Sequence, residues 1–174
     1  MKIKNAVFCC ILLAFFGLVS CSNTVIDSNK EFTVGTEGTG KTVFQDKAGF
    51  GLSQGGVYID SKENFETICN KLNNGFYDNG SQTYNSKAAT ICRNYDDSFF
   101  EDKALIIYEF MAGYHYNYSI ENIDIYNEEA IVNIKAIEKQ GVYEDLAFSY
   151  LFILEIDIKL DVKSENVKGN IIYS

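Results

Sequence analysis

Between Phe148 and Ile158 the chain alternates without a break. Phe148, Tyr150, Phe152, Leu154, Ile156 and Ile158 fall on one side of a strand, and Leu151 and Ile153 on the other. Period-two patterning belongs to a β-strand, and apolar residues on both faces mean that the middle of this strand is buried on both sides. A chain built around it needs a sheet, with something covering each face. Glu155 and Asp157 interrupt the run, so it does not read as a membrane span, which takes about 20 apolar residues. Thirteen Phe and 12 Tyr supply the volume for a core in a chain without Trp.

The neighbouring segments follow the same period. Ala104 to Phe110 reads as a mostly apolar strand, with a turn at Ala112-Gly113. Tyr114, Tyr116, Tyr118 and Ile120 alternate with polar residues. A hairpin is expected around Asn127-Glu128-Glu129, between the Ile123/Ile125 and Ile131/Ile134/Ile137 runs, and a last strand at Val167 to Tyr173. Val57-Tyr58-Ile59 is a short strand. After it Phe65, Ile68, Cys69 and Leu72 recur at helical spacing behind Asp60 or Ser61 as N-cap, and Gly75 suits the C-cap. The expected class is α+β: a mostly antiparallel sheet of four to six strands with one main amphipathic helix packed on it. Residues 57–174 then form one globular domain. Residues 21–56, rich in Ser, Thr, Gly, Asn and Lys, read as a flexible tether, with at most a short strand near Thr42 to Gln45.

Residues 1–20 read as a signal peptide. Lys2 and Lys4 precede a nearly unbroken apolar run from Ala6 to Val19, which ends in Leu18-Val19-Ser20-Cys21. That ending resembles the lipobox of bacterial lipoproteins. The resemblance implies cleavage before Cys21, a lipid on its thiol and acylation of the new N-terminus. Two or more chains make such anchoring stable. The expected location is extracytoplasmic, at the cell membrane; Ser22 in place of Asp permits sorting to an outer membrane. Loss of Lys2 and Lys4 takes the formal net charge from −9 to −11. A body this acidic is repelled by phosphate backbones and by anionic lipid, so it is expected to bind no nucleic acid and to be displayed from the membrane instead of lying flat on it.

Cys9 and Cys10 leave with the signal and Cys21 is the lipid acceptor, so Cys69 and Cys92 remain. Outside the cytoplasm this even pair can form a disulfide, which would stabilise by roughly 3 kcal/mol, or the two can be small buried thiols. Gly35-Thr36-Glu37-Gly38-Thr39-Gly40-Lys41-Thr42 satisfies the phosphate-loop string G-x-x-x-x-G-K-[ST]. Its context is wrong: Lys30 to Val34 is a poor buried strand, and Gly49, Gly51, Gly55 and Gly56 make a poor following helix. The match is read as fortuitous, with neither nucleotide nor other cofactor expected. His115 is the only histidine, and no nucleophile or orienting carboxylate stands at a motif spacing from it. Asp96-Asp97, Glu101-Asp102 and Glu144-Asp145 lack calcium-loop spacing and read as caps and solvated loops. No metal site and no catalytic residue is expected. Tyr114, His115, Tyr116 and Tyr118 are the candidate binding surface, with the core face of a strand as the plainer reading of the tyrosine stripe.

From about Val57 to Lys159 the order of features resembles the PrcB C-terminal domain family, often lipoproteins and named for a subunit of a surface protease complex. The carriers are Tyr95-Asp96-Asp97-Ser98-Phe99-Phe100, the strand opening Leu105-Ile106-Ile107, and Asp145 before Ala147 to Tyr150. Met111-Ala112-Gly113-Tyr114 departs from the Ser- and Gly-bearing turn of that family. The resemblance implies an accessory or stabilising role without catalysis. The expected function is therefore that of a non-catalytic lipoprotein that binds or stabilises another cell-surface or periplasmic protein. The alternative is a small-ligand or glycan binder using the Tyr-rich face.

Overall fold

A computed structural model describes residues 30–143 and 145–174. The proposed signal peptide and Cys21 lie outside the described residues. Eight strands close into a barrel: β1 Glu31–Val34, β2 Gly38–Lys47, β3 Gly55–Ile59, β4 Ala104–Gly113, β5 Tyr116–Tyr126, β6 Glu129–Glu138, β7 Ala147–Ile156 and β8 Val167–Tyr173. Around the barrel they run β1-β2-β7-β4-β3-β8-β6-β5, with β5 returning to β1. Two helices, α1 Lys62–Leu72 and α2 Lys87–Cys92, and a 3-10 turn at Phe99–Glu101 lie between β3 and β4.

This corrects the expected α+β sheet with one main helix. Most neighbours pair antiparallel, but β1 with β5 and β6 with β8 are parallel, and these two pairings close the barrel. The described part of the expected tether, residues 30–56, supplies two staves and the start of a third. Its glycines are not linker residues. A Cβ on Gly40 would stand 2.5 Å from the Phe32 ring, and one on Gly38 would meet Ile158 at the same distance. The strand carries glycine where the lumen has no room for a side chain. A bulge between Thr42 and Phe44 then turns Phe44 to the outside of the barrel.

Two cores result. The lumen is filled by alternate residues of seven of the staves, all but glycine-bearing β2, among them Ile106, Phe110, Ile120, Ile134, Phe152 and Leu154. The other faces of β4 and β7, with Leu105, Ile107, Leu151 and Ile153, pack under Phe50, Phe65, Cys69, Phe76, Cys92 and Phe100 of the helical layer. The strand read as buried on both sides is thus the wall between the two cores. The remaining half, β1-β5-β6-β8, belongs to the lumen core alone and turns its outer face to solvent.

Local signals set the ends of the elements. Ser61 accepts a hydrogen bond from the Asn64 N–H and caps α1. The left-handed C-cap is Asn73 (φ 51°), not Gly75. Asp96 Oδ1 accepts from the Phe99 N–H and the Ser98 hydroxyl, as a cap should. Asn127 and Glu128, both at positive φ, make the two-residue β5–β6 turn. The turn expected at Ala112-Gly113 lies two residues later, at Tyr114-His115, because β4 runs on to Gly113.

Candidate interaction surface

The barrel has two ends. One carries the Asn127-Glu128 turn. The other carries the Tyr114-His115 turn, the last residues of β2, β6 and β8, and the start of β7; we call it the His115 end. The chain crosses this end from β4 to β5, strands that are not neighbours. The crossing is tied down by hydrogen bonds from the Tyr114 N–H to the Leu146 carbonyl and from the Lys139 N–H to the His115 carbonyl, each 2.8 Å.

The three tyrosines of the expected surface do not form one platform. Tyr118 points into the lumen and is 4% exposed. Its hydroxyl donates to the Gly113 carbonyl at 2.8 Å, and its ring lies 4.8 Å from Tyr150. Burial, followed by the nearby Tyr150, raises its pKa. Phe110 packs between Phe152 and Tyr150, each 5.7 Å away, so stacked rings occupy this level of the lumen. Tyr116 is half-buried between Tyr118 and Tyr173, 6.2 and 5.0 Å away. Tyr114 sits in the turn. Its ring already carries two ammonium groups, Lys47 Nζ at 3.7 Å and Lys139 Nζ at 4.1 Å from the centroid. Burial, and then the like charge of Lys47, lowers the Lys139 pKa. His115 lies in the turn itself, its ring 4.3 Å from Tyr116. Among the described residues no side-chain hydrogen bond reaches its imidazole.

The other sequence candidates scatter. Cys69 on α1 and Cys92 on α2 are brought into the same outer core as free buried thiols. Burial pushes Cys69 up to about 11 and Cys92 well above its ordinary range. The string Gly35 to Thr42 folds as the β1–β2 turn and the start of β2, paired on both edges with β1 and β7. Its backbone therefore serves a sheet where a phosphate loop would open a helix. Lys41 is bound to Glu155 at 2.8 Å, and Thr39 to Asp157. Tyr95 donates to the same Glu155 at 2.9 Å, so the carboxylates nearest this string are already engaged. Among the described residues no group of His, Cys, Asp and Glu is arranged to hold a metal ion.

Three features were missed. Glu109, 5% exposed on the outer face of β4, accepts the N–H groups of Phe50, Gly51 and Leu52 on Oε2 at 2.9 to 3.0 Å and the Ser149 hydroxyl on Oε1 at 2.7 Å. A polar row crosses the bare sheet half in register: Thr33, Asn122, Asn133 and Asn170. The Asn133 amide donates to Asn122 and Asp124 at 2.6 and 2.7 Å and accepts from Asn170 at 3.0 Å. The third feature is a rim of exposed apolar residues at the His115 end, including Met111, Val142, Leu146 and Ile172. Single exposed apolar residues mean little, but a cluster of this kind marks a contact surface.

No protein-family model matches the chain, and neither a curated protein nor a solved structure does.

Proposed function

We propose that this chain is a lipid-anchored, non-catalytic binding module. It holds or stabilises another extracytoplasmic protein, with a surface protease complex as the partner that the PrcB-like features imply. The observation that carries the reading is the asymmetry of the barrel. Its lumen is filled with its own side chains, and one half is roofed by helices. The other half, β1-β5-β6-β8, is bare. Recognition by such a molecule is external. The bare half offers an open sheet face with the in-register polar row and the Asp124 carboxylate, suited to a partner that supplies hydrogen-bond donors and positive charge.

The anchor is Cys21 within the lipobox-like ending, and the partner lies beside the same membrane. At a mature charge of −11, a basic partner is favoured, and added salt should slow association more than it speeds release. Photo-crosslinkers placed at Asp124 and Lys168 in living cells should capture one dominant surface protein. Asn122→Arg combined with Asn170→Arg should abolish that capture while the protein stays folded. Monomeric recovery from both positions, together with saturable binding of a sugar, would favour the glycan reading instead. Anchoring is tested separately: Cys21→Ser should block incorporation of labelled fatty acid and leave the precursor uncleaved, and continued acylation would refute the lipid anchor.

A further inference from the structure

Of the eight large apolar side chains exposed among the described residues, seven lie at the His115 end; Tyr126, beside the Asn127-Glu128 turn, is the exception. Met111 is near the top of β4, Ile137 of β6, and Ile172 and Tyr173 of β8. Val142, Tyr143 and Leu146 come from the β6–β7 connection. Val142 is fully exposed. β3 stops short of this end, so the rim is open between β4 and β8.

The course of the chain adds an independent constraint. β1 runs parallel to β5, and β5 starts at the His115 end. Lys30, the first described residue, is therefore at the end of β1 nearer that side. The Lys30 carbonyl accepts from the Thr42 N–H, five residues of β2 below the rim at Lys47. At 3.3 Å per residue the rim is roughly 17 Å from that point. Cys21 precedes Lys30 by nine residues, which reach at most about 30 Å when fully extended. A lipid on Cys21 thus keeps the bilayer within reach of this end.

We propose that the His115 end faces the membrane: the barrel stands end-on, with Met111, Ile137, Val142, Leu146, Ile172 and Tyr173 seated in the interface of the bilayer that holds the Cys21 lipid. The inference rests on the anchoring part of the proposed function. Tyr143 and Tyr173 are the residue type that favours the headgroup level. Lys47 and Lys139 lie along the Tyr114 ring with Asp46, Glu138 and Asp145 on the same end, so the rim carries both signs. Seating is accordingly apolar in origin and does not require anionic lipid. End-on standing also keeps the bare face clear of the membrane.

The test uses the absence of Trp. The chain beginning at Cys21 is coupled through that thiol to a maleimide lipid in phosphatidylcholine vesicles; Cys69 and Cys92 are buried and do not compete. A single Trp is introduced by Val142→Trp or, at the opposite end, by Tyr126→Trp, both at exposed positions. On vesicles with brominated acyl chains, the Trp at 142 should shift to the blue and lose most of its emission, whereas the Trp at 126 should keep a solvent spectrum. Adding phosphatidylglycerol should not increase the effect. Solvent-like emission from both positions overturns the proposal, and so does equal quenching of both. A Trp at 142 shielded from aqueous iodide but untouched by brominated lipid overturns it in favour of a second copy of this chain covering the rim. Because the anchor is supplied chemically, a negative result here leaves Cys21 acylation in cells standing. Loss of that acylation would equally leave the vesicle result intact.

Discussion

Glu109 occupies an outward position on a strand that is otherwise apolar, and its surroundings explain why a charge is tolerated there. The connection from β2 to β3 must cross over β7 and β4, because β2 and β3 are not neighbours. A crossing loop has no ladder to take up its N–H groups, and three of them converge on one carboxylate oxygen. Glu109→Ala should destabilise by about 3 kcal/mol, since a charged acceptor is lost and three donors are stranded. Glu109→Gln keeps an acceptor and should cost roughly 1 kcal/mol. Urea unfolding measures both, and an Ala variant within error of the parent would refute the clasp. A local reading of Ala104 to Phe110 does not reveal this role, because the partners lie 40 to 59 residues away. The two thiols are likewise set by burial. In a chain that begins at residue 21 and carries Cys21→Ser, a thiol reagent at pH 8 should find none in the folded protein and two in denaturant. If the pair is oxidised in the cell, the unreduced denatured chain will give none. The sign of the alkaline effect follows. An unfolded thiol ionises near 9.0 and folded Cys69 near 11, so the unfolded state loses its proton first. This contribution to stability is complete below about pH 9 and is lost as the pH rises through 11.

At the scale of elements, what could be read from sequence was what local chemistry dictates. The α1 cap, the doubly buried β7 and the bounds of β8 all follow from residues within one turn or one strand. The polar row was readable in principle: Asn122 and Asn133 each stand five residues out from the Asn127-Glu128 turn, which makes them partners in its register. What could not be read was β1 and the first half of β2; the short strand expected near Thr42 to Gln45 falls inside β2. Their inward positions are Phe32, Val34, Gly38, Gly40 and Thr42, and two glycines erase the alternation that marks a strand. The parallel pairings of β1 and β8 join segments distant in sequence and leave no local trace. The β5–β6 turn offers a test of local strain. Glu128 holds φ 60°, a conformation that costs a non-glycine residue roughly 1 kcal/mol and that two-residue hairpins give to Gly. Its carboxylate pairs with Lys163, but both side chains are largely exposed, so the pair is screened by solvent and adds little. Glu128→Gly should therefore be neutral to stabilising by up to about 1 kcal/mol in thermal unfolding. A clear loss of stability would mean that the ion pair outweighs the strain.

Over the whole molecule, the barrel decides where the domain begins. The composition shift near Gly56 suggests a body at 57–174, yet that fragment lacks β1, β2 and the start of β3. Without them β7 loses the partner on its Lys41 side, β5 loses β1, and the lumen opens along its length. Phe32, Val34 and Phe44, each at most 5% exposed, would be missing. At roughly 1.5–3 kcal/mol per buried side chain, these three alone contribute on the order of 5–9 kcal/mol, comparable with the 5–15 kcal/mol that holds a whole domain together. The crossing loop with Phe50 goes as well, so the helical layer loses the ring that packs against Phe65 and Phe76. The fragment 57–174 should thus fail to fold: it should bind a hydrophobic dye, lack near-ultraviolet ellipticity and show no cooperative urea transition. A chain starting at Lys30 keeps all eight staves and should unfold cooperatively. Cooperative unfolding of the shorter fragment with the stability of the longer one would show that β1 and β2 are accessories, and the boundary near Gly56 would then stand.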